Sequence, residues 1–538
     1  MKSREFAIYI LLIAILTVCV LGEQSLQIPH DIARTFIRMI CAYLLSLVFS
    51  ISLGIYIAHN RKAFSIIFPF LDVLQSVPIL GFLPFAVVFL VNTIPILGSE
   101  VSSVFLIFTS MTWALVFNVI EGVRSIPNDL KDASRLMGMS NFRYLFHVIL
   151  PAIYAPVISG SMTAWGGGWY FLVAGEYVTF GQQPPYILPG IGSFIARSAY
   201  SGDILHSVLG MMILAGMVLF MNLFVWQPLT ARSARFSYSQ SAQESTASLN
   251  ENKITQFIDS IYNKVKRACI ASTDKAIWID KLGITPLTTI VDEKKEAKYE
   301  YLVPGIVLVL FVGSYILSGK DIAQVIEMFY FAIRTTLRIA VAYILALAIA
   351  TFIAIYVGRH KKLSTFLMPI FDIAQSIPAI AVFPLIVVLV IQLIGGGLGI
   401  EVASLMLLLT GMFWYLLFNL IRSTQTIPSE IVEVSSIMKL SMWQKIWNVF
   451  IPAMMPTIII ASMQSIGGGW NASIISEYIP YKQQIFYAEG IGYLLDVSAI
   501  KGDTLGIIMC VMVMVSIIIF LNKFLWRKAL KRAEVYKF

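Results

Sequence analysis

Ionisable groups set inside apolar runs are the residues of this chain best placed to do chemistry. Six carboxylates lie within or at the ends of such runs: Asp72, Glu100 and Glu176, then Asp372, Glu401 and Glu477. Two arginine pairs at i,i+4 spacing, Arg34/Arg38 and Arg334/Arg338, each share a helical face. A charged side chain deep in a bilayer costs at least ~2.5 kcal/mol, so such groups pair with each other or line a polar pathway. Gln75 and Gln375 lie one turn beyond Asp72 and Asp372, and glycine triplets precede the last acids: Gly166, Gly167 and Gly168 before Glu176, Gly467, Gly468 and Gly469 before Glu477. A missing side chain lets helices approach closely or opens space for a solute. The triplets, Glu176 and Glu477, Asp72 and Asp372, Gln75 and Gln375 are therefore candidate pathway residues, with a structural brace the other reading for the two aspartates. Acids do not attract an anion, so they would serve as gate, acceptor or arginine partner. Arg38 and Arg338, with Arg34 and Arg334, could ring the outer mouth and favour anions by bidentate contacts, or snorkel to headgroups.

Every one of these residues has a twin because the chain is written twice. Leu71–Pro78 recurs as Phe371–Pro378, Trp113 as Trp414, Glu176-Tyr177 as Glu477-Tyr478 and Gly202-Asp203 as Gly502-Asp503, at an offset of about 300 positions. The elements that must position them are membrane spans. The chain is 58% hydrophobic and 13% charged, with a mean hydropathy of +0.81, which excludes an ordinary soluble protein. Apolar runs fall near 6–22, 32–58, 66–91, 99–120, 148–178 and 204–227, then 302–318, 330–357, 365–394, 400–420, 449–478 and 505–526. The predicted fold is an all-α polytopic membrane protein of two six-span repeats, about twelve spans. The fifth span of each half exceeds a simple crossing and is expected to include an interfacial or re-entrant stretch. An even span number makes the repeats parallel, with the pathway between them.

The net charge of +9 suggests nucleic acid until the charges are placed. With the N-terminus inside, only Arg197, Lys320, Lys482 and Lys501 face outward besides the second-span arginines, which is the positive-inside pattern. Both termini are thus expected in the cytoplasm, the chain in a plasma (inner) membrane against lipid, with no nucleic-acid partner. Met1–Gly22 is expected to be a retained first span, since no small-residue cleavage site follows. The four cysteines show no pairing or metal spacing. The expected divisions are a first half at 1–230, a polar linker at 231–298 with an amphipathic helix near 254–265, and a second half at 299–538.

One inward segment of each half has a shape of its own. Between 127 and 151, Pro127 suits a first helical turn, Asp129 and Asp132 sit near its positive end, Gly138 can end the helix left-handed, and Ser140 can cap the next. A short helix projecting along the inner surface suits docking on a soluble protein.

This loop resembles the E-A-A-x-x-x-G signature of binding-protein-dependent ABC transporter permeases, which closes on a Leu-Pro. Asp132 stands for the Glu, Ala133, Ser134 and Gly138 follow, and Leu150-Pro151 closes the motif. In the second half, between 428 and 452, the corresponding residues are Glu433, Val434, Ser435, Lys439 and Ile451-Pro452. Lys439 departs from the family's Gly, so an altered turn and a weaker ATPase contact are expected there. Pro69, Asp72 and Pro78, their twins Pro369, Asp372 and Pro378, and Gly98-x-Glu100 are similar to the nitrate/sulfonate/taurine/bicarbonate branch. The resemblance covers both halves and leaves out the linker. It implies a type I importer fold, two cytoplasmic ABC ATPase subunits on the loops, ATP and Mg held by those subunits, and an extracytoplasmic solute-binding protein. This chain has no G-x-x-x-x-G-K-[ST] phosphate loop and is expected to be a non-enzymatic permease without a cofactor. The alternatives are a fused permease for ferric iron or thiamine, or an ion-coupled secondary transporter using the intramembrane acids as proton relays.

Overall fold

The computed structural model describes residues 27–178, 186–233, 302–481 and 484–529, with gaps within 77–96, at 376, within 378–385 and at 527. The expected first span and the linker with its amphipathic helix lie outside the described residues. Among those described, eight helices are long and apolar enough to cross a membrane. In a bilayer every backbone N–H and C=O must be bonded within the protein, and a continuous helix does this by itself.

In the first half, α1 (Ile28–His59) leads into α2 (Arg61–Ser76), then α3 (Gly98–Arg124), the short α4 (Asn128–Leu136) and α5 (Leu150–Glu176). A two-stranded hairpin, β1 (Tyr177–Val178) with β2 (Tyr186–Ile187), precedes α6 (Ile191–Ser201) and α7 (Ile204–Met221). The second half adds α8 (Leu302–Ser318), then repeats the order: α9 (Ile322–Arg359), α10 (Lys361–Gln375), α11 (Gly396–Thr426), α12 (Ser429–Ile437) and α13 (Ile451–Glu477). β3 (Tyr478–Tyr481) pairs antiparallel with β4 (Gln484–Tyr487), followed by α14 (Ile491–Ile500) and α15 (Thr504–Leu521). Apart from these two short hairpins the membrane fold is all-helical, as expected.

Of the two expectations for the fifth span, the re-entrant one does not hold: helix runs unbroken from Leu145 to Glu176 and from Met442 to Glu477. The reason is local. Pro151 and Pro452 have no N–H to donate and their rings crowd the preceding turn. The bonding slips by one residue, so Leu150 N–H reaches the Leu145 carbonyl and Ile451 N–H the Ile446 carbonyl, a single π turn that keeps the helix going. The short return elements follow the span, as α6 and α14.

Within each half one long helix is central: α3 packs on α1 and α5, and α11 on α9 and α13. Between halves α2 and α10 are exchanged. α2 lies against α8, α13 and α15, while α10 lies against α5 and α7. One buried cluster accordingly mixes Ile79, Leu106 and Phe171 with Met412, Trp470 and Met514.

Candidate functional sites: the projecting helices, the buried nodes and the seam

α4 starts at Pro127, whose extended backbone (φ −56°, ψ 143°) turns the chain out of α3. It ends in a Schellman closure: Met139 N–H bonds to the Ser134 carbonyl at 3.2 Å and Gly138 N–H to the Arg135 carbonyl at 3.0 Å, with Gly138 at φ +61°. α12 ends identically. Leu440 N–H reaches the Ser435 carbonyl at 3.2 Å, Lys439 N–H the Ser436 carbonyl at 3.0 Å, and Lys439 stands at φ +52°. The expectation of an altered second turn is therefore overturned. The turn is kept, and Lys439 carries a backbone cost of roughly 1–2 kcal/mol that glycine avoids.

Each short helix has a buried and a free side. Ser134 and Ser435 are buried, donating to the Leu130 carbonyl at 2.7 Å and the Val432 carbonyl at 2.6 Å. Asp132, Ala133, Glu433 and Val434 are exposed. At the tips Leu136 is 89% and Ile437 78% exposed, with Met137 and Met438 beside them. Leu150-Pro151 and Ile451-Pro452 are half-buried at the start of α5 and α13. Burial, then Arg135 nearby, pushes the Lys131 ammonium below its ordinary range, against the pull of Asp132.

The charged groups inside the spans assemble into one node per half. Glu176 is fully buried; its Oε1 accepts from Thr35 Oγ1 at 2.8 Å and Arg38 Nη1 at 2.7 Å, and its Oε2 from Gly192 N–H at 2.7 Å. Arg38 turns its other edge to Glu100, Nε to Oε2 at 2.6 Å and Nη2 to Oε1 at 2.8 Å. In the second half Glu477 holds Thr335 at 2.6 Å, Arg338 at 2.5 Å and Gly492 N–H at 2.8 Å, while Arg338 forks onto Glu401 at 2.7 and 2.9 Å. A Cβ at Gly190 or Gly490 would overlap the carboxylate, so glycine is what lets each acid reach the start of the return helix. Each node ties four elements together: α1, α3, α5 and α6, or α9, α11, α13 and α14. Arg38 and Arg338 are thus spent inside their own halves rather than ringing a pathway, because two carboxylates compete for each guanidinium. Glu176 and Glu477 are likewise enclosed. Thr35 and Thr335 escaped the sequence reading; their signal was an identical Thr one turn before each buried Arg.

The glycine triplets split by direction. Gly168 packs on Met111 and Met39, and Gly469 on Met412 and Ile339. Gly167 lies near the Ser110 carbonyl and Gly468 against Gly411. Gly166 faces the other half, where a Cβ would stand 3.6 Å from Gln375 Nε2. Across the same seam Asn471 Oδ1 accepts from Ile79 N–H at 2.6 Å, and Tyr170 extends to Gly411. Gln75 is half-buried on α2; Asp72 and Asp372 have backbone positions in α2 and α10 only.

Two membrane halves, each with a projecting helix, joined along a seam, match a known family of membrane proteins. The profile of the binding-protein-dependent transport system inner membrane component matches residues 50–227 and again 346–531, more than half of the chain. The chain belongs to this family. As one of its permeases, it is a component that is not itself catalytic and holds no cofactor. It is similar to the nitrate import permease protein NrtB of Leptolyngbya laminosa, 29% identical over 195 residues, 36% of this chain and 65% of that one. The bicarbonate transport system permease protein CmpB of Synechococcus elongatus is 30% identical over 175 residues, 32% of this chain and 59% of its own. The taurine transport system permease protein TauC of Escherichia coli is 24% identical over 175 residues, 32% and 62% of the two chains. The permease thus spans less than two-thirds of the length of each of these relatives.

Proposed function

We propose that this chain is the fused transmembrane permease of an ATP-driven importer for a small anion of the nitrate, sulfonate, taurine or bicarbonate kind. The observation that carries the reading is the pair of projecting helices, α4 and α12. Each presents exposed apolar residues at its tip, Leu136 and Met137 on one and Ile437 and Met438 on the other. Adjacent exposed apolar residues at the tip of each of two matching helices form paired patches that suit docking on a partner. Two cytoplasmic ATPase subunits take these helices, hold ATP and Mg themselves, and convert nucleotide closure into relative motion of the halves. A solute-binding protein delivers cargo at the opposite, node-bearing face. The placement of lysines and arginines supports both termini and the linker 231–298 on the ATPase side, and the break in the apolar pattern supports halves at 1–230 and 299–538.

The test pairs crosslinking with uptake. Cysteines at Ala133 and Val434 are expected to crosslink to a co-expressed ATPase subunit. Proteoliposomes with that subunit and a binding protein are expected to accumulate labelled nitrate, bicarbonate or taurine only with ATP. No crosslink at either position overturns the reading. Uptake that survives ATP depletion but collapses with an uncoupler assigns a secondary carrier, and uptake of thiamine or ferric iron alone removes the anion.

A further inference from the structure

The faces that α5 and α13 turn toward the opposite half are twins in position and unlike in chemistry. On α5 they carry Gly166 and Tyr170, one helical turn apart; on α13 they carry Gly467 and Asn471. Gly166 is covered by the Gln375 amide, whereas a Cβ at Gly467 would meet nothing within 4 Å among the described residues. From Gly467 toward the α12 end of the helix the face is exposed and uncharged, polar at Gln464 and apolar one turn on at Ile460. Gln464 is exposed and accepts from Asn419 Nδ2 at 3.0 Å, and Tyr415, one turn from Asn419 on α11, is 40% exposed. Thr163 on α5 is exposed as well.

Toward the node end the seam closes. Asn471 bridges the halves by taking the N–H of Ile79, which follows Pro78 beyond the end of α2, and its Nδ2 donates to the Gly467 carbonyl at 3.2 Å. Tyr170 crosses from the other side, where a Cβ at Gly411 would stand 3.5 Å from its hydroxyl. That hydroxyl is buried near Thr410, whose own proton goes to the Leu407 carbonyl at 2.6 Å. Among the described residues Thr410 is its close polar neighbour, without a well-aligned hydrogen bond between them. A poorly made bond of this kind leaves up to about 1–3 kcal/mol unrealised, and an acceptor oxygen on a passing solute would compete for the phenol's proton.

Resting on the importer reading, we propose that Tyr170, Gln375 and Asn471 form the closed gate of the solute pathway. The open space at Gly467 beside Gln464 is its vestibule on the α4/α12 side. A small anion then crosses on neutral N–H and O–H donors, not on arginine. Such donors recognise oxygen acceptors without the deep well that a buried cation would make, so the solute can also leave.

Cysteine accessibility tests this in the assembled transporter. A chain with Cys19, Cys41, Cys269 and Cys510 replaced by serine receives Gly467→Cys, Gln464→Cys or Gly166→Cys. Inside-out vesicles are then treated with an anionic or a cationic methanethiosulfonate. Positions 467 and 464 are expected to react at least about tenfold faster than 166, with the two reagents within roughly threefold of each other, since fields that discriminate charge change rates by about tenfold or more. Equal rates at 166 and 467, or no reaction at 467, overturn the gate. A tenfold preference for either reagent overturns the neutral lining. In the native-cysteine chain, Tyr170→Phe is expected to lower anion uptake about tenfold, the worth of one good hydrogen bond, with ATPase association unchanged. Unchanged uptake overturns the role of the phenol. The labelling needs no transported solute, so a chain that labels as expected but imports no anion refutes the importer reading alone.

Discussion

Arg38 and Arg338 are buried and each joins a fully enclosed carboxylate, Glu176 or Glu477, to a partly exposed one, Glu100 or Glu401, and that makes the nodes sensitive to the loss of a single partner. Removing one member strands a buried charge, at a cost of about 3–5 kcal/mol. Arg38→Met and Arg338→Met are therefore each expected to lower the melting temperature of the detergent-extracted protein sharply. Replacing Arg38 and both of its acids together by apolar residues is expected to recover most of that loss. Asp496 is the opposite case. It is buried at 2% exposure, its Oδ1 has no hydrogen-bond partner among the described residues, and the position of its twin is occupied by Ala196. Asp496→Ala is expected to leave melting unchanged or raise it, by up to about 1–3 kcal/mol, the desolvation of one unmade bond. The nodes were half legible in the sequence: their acids and arginines stood out because charge inside an apolar run is conspicuous. Their partnership was not, because periodicity gives the face of a helix and says nothing of which neighbour covers it. Asp496 did not stand out in the sequence, because its counterpart is Ala196 and no repeated motif marks it.

At the scale of elements, turns and caps hold the helices in place. Lys439 adopts a backbone that Gly138 adopts freely, so Lys439→Gly is expected to stabilise the second loop by about 1 kcal/mol, seen as a higher melting temperature, and Gly138→Lys to cost as much. Asp203 starts α7, its Oδ1 accepting from His206 N–H at 3.1 Å and its Oδ2 lying 2.7 Å from His206 Nδ1. The bond from His206 N–H and the imidazole hold its carboxyl below the ordinary range, against some burial. Because the folded value is the lower one, this stabilisation is complete above the ordinary aspartate range near 4 and fades as the pH falls through the folded value. Asp203→Ala is expected to cost about 1 kcal/mol at neutral pH and less in acid, measurable by melting across a pH series. The projecting helices were readable from Pro127, Gly138 and Ser140, since each has a distinct backbone preference. The hairpins after α5 and α13 were not, because two to four residues of strand give too little alternation to register.

At the scale of the whole molecule, the exchange of α2 and α10 means that neither half closes a core alone. The cluster shared by Ile79, Leu106, Phe171 and Met412 makes the point: its members come from both copies. Residues 1–233 and 302–538 expressed separately are each expected to aggregate in detergent. Expressed together without the intervening segment, they are expected to co-purify as one particle by size-exclusion chromatography. The duplication was plain from the sequence, because twin motifs survive in both copies. The exchange was not, since identical copies offer no clue to whose helix lies where. Nor was the divergence of Tyr170 and Asn471 visible as anything but two unrelated letters. A passage assembled from two identical copies would offer a solute the same chemistry on both flanks. With a phenol on one bank and an amide on the other, the proposed passage offers unlike flanks, so a solute within it has one preferred rotational setting instead of two equivalent ones.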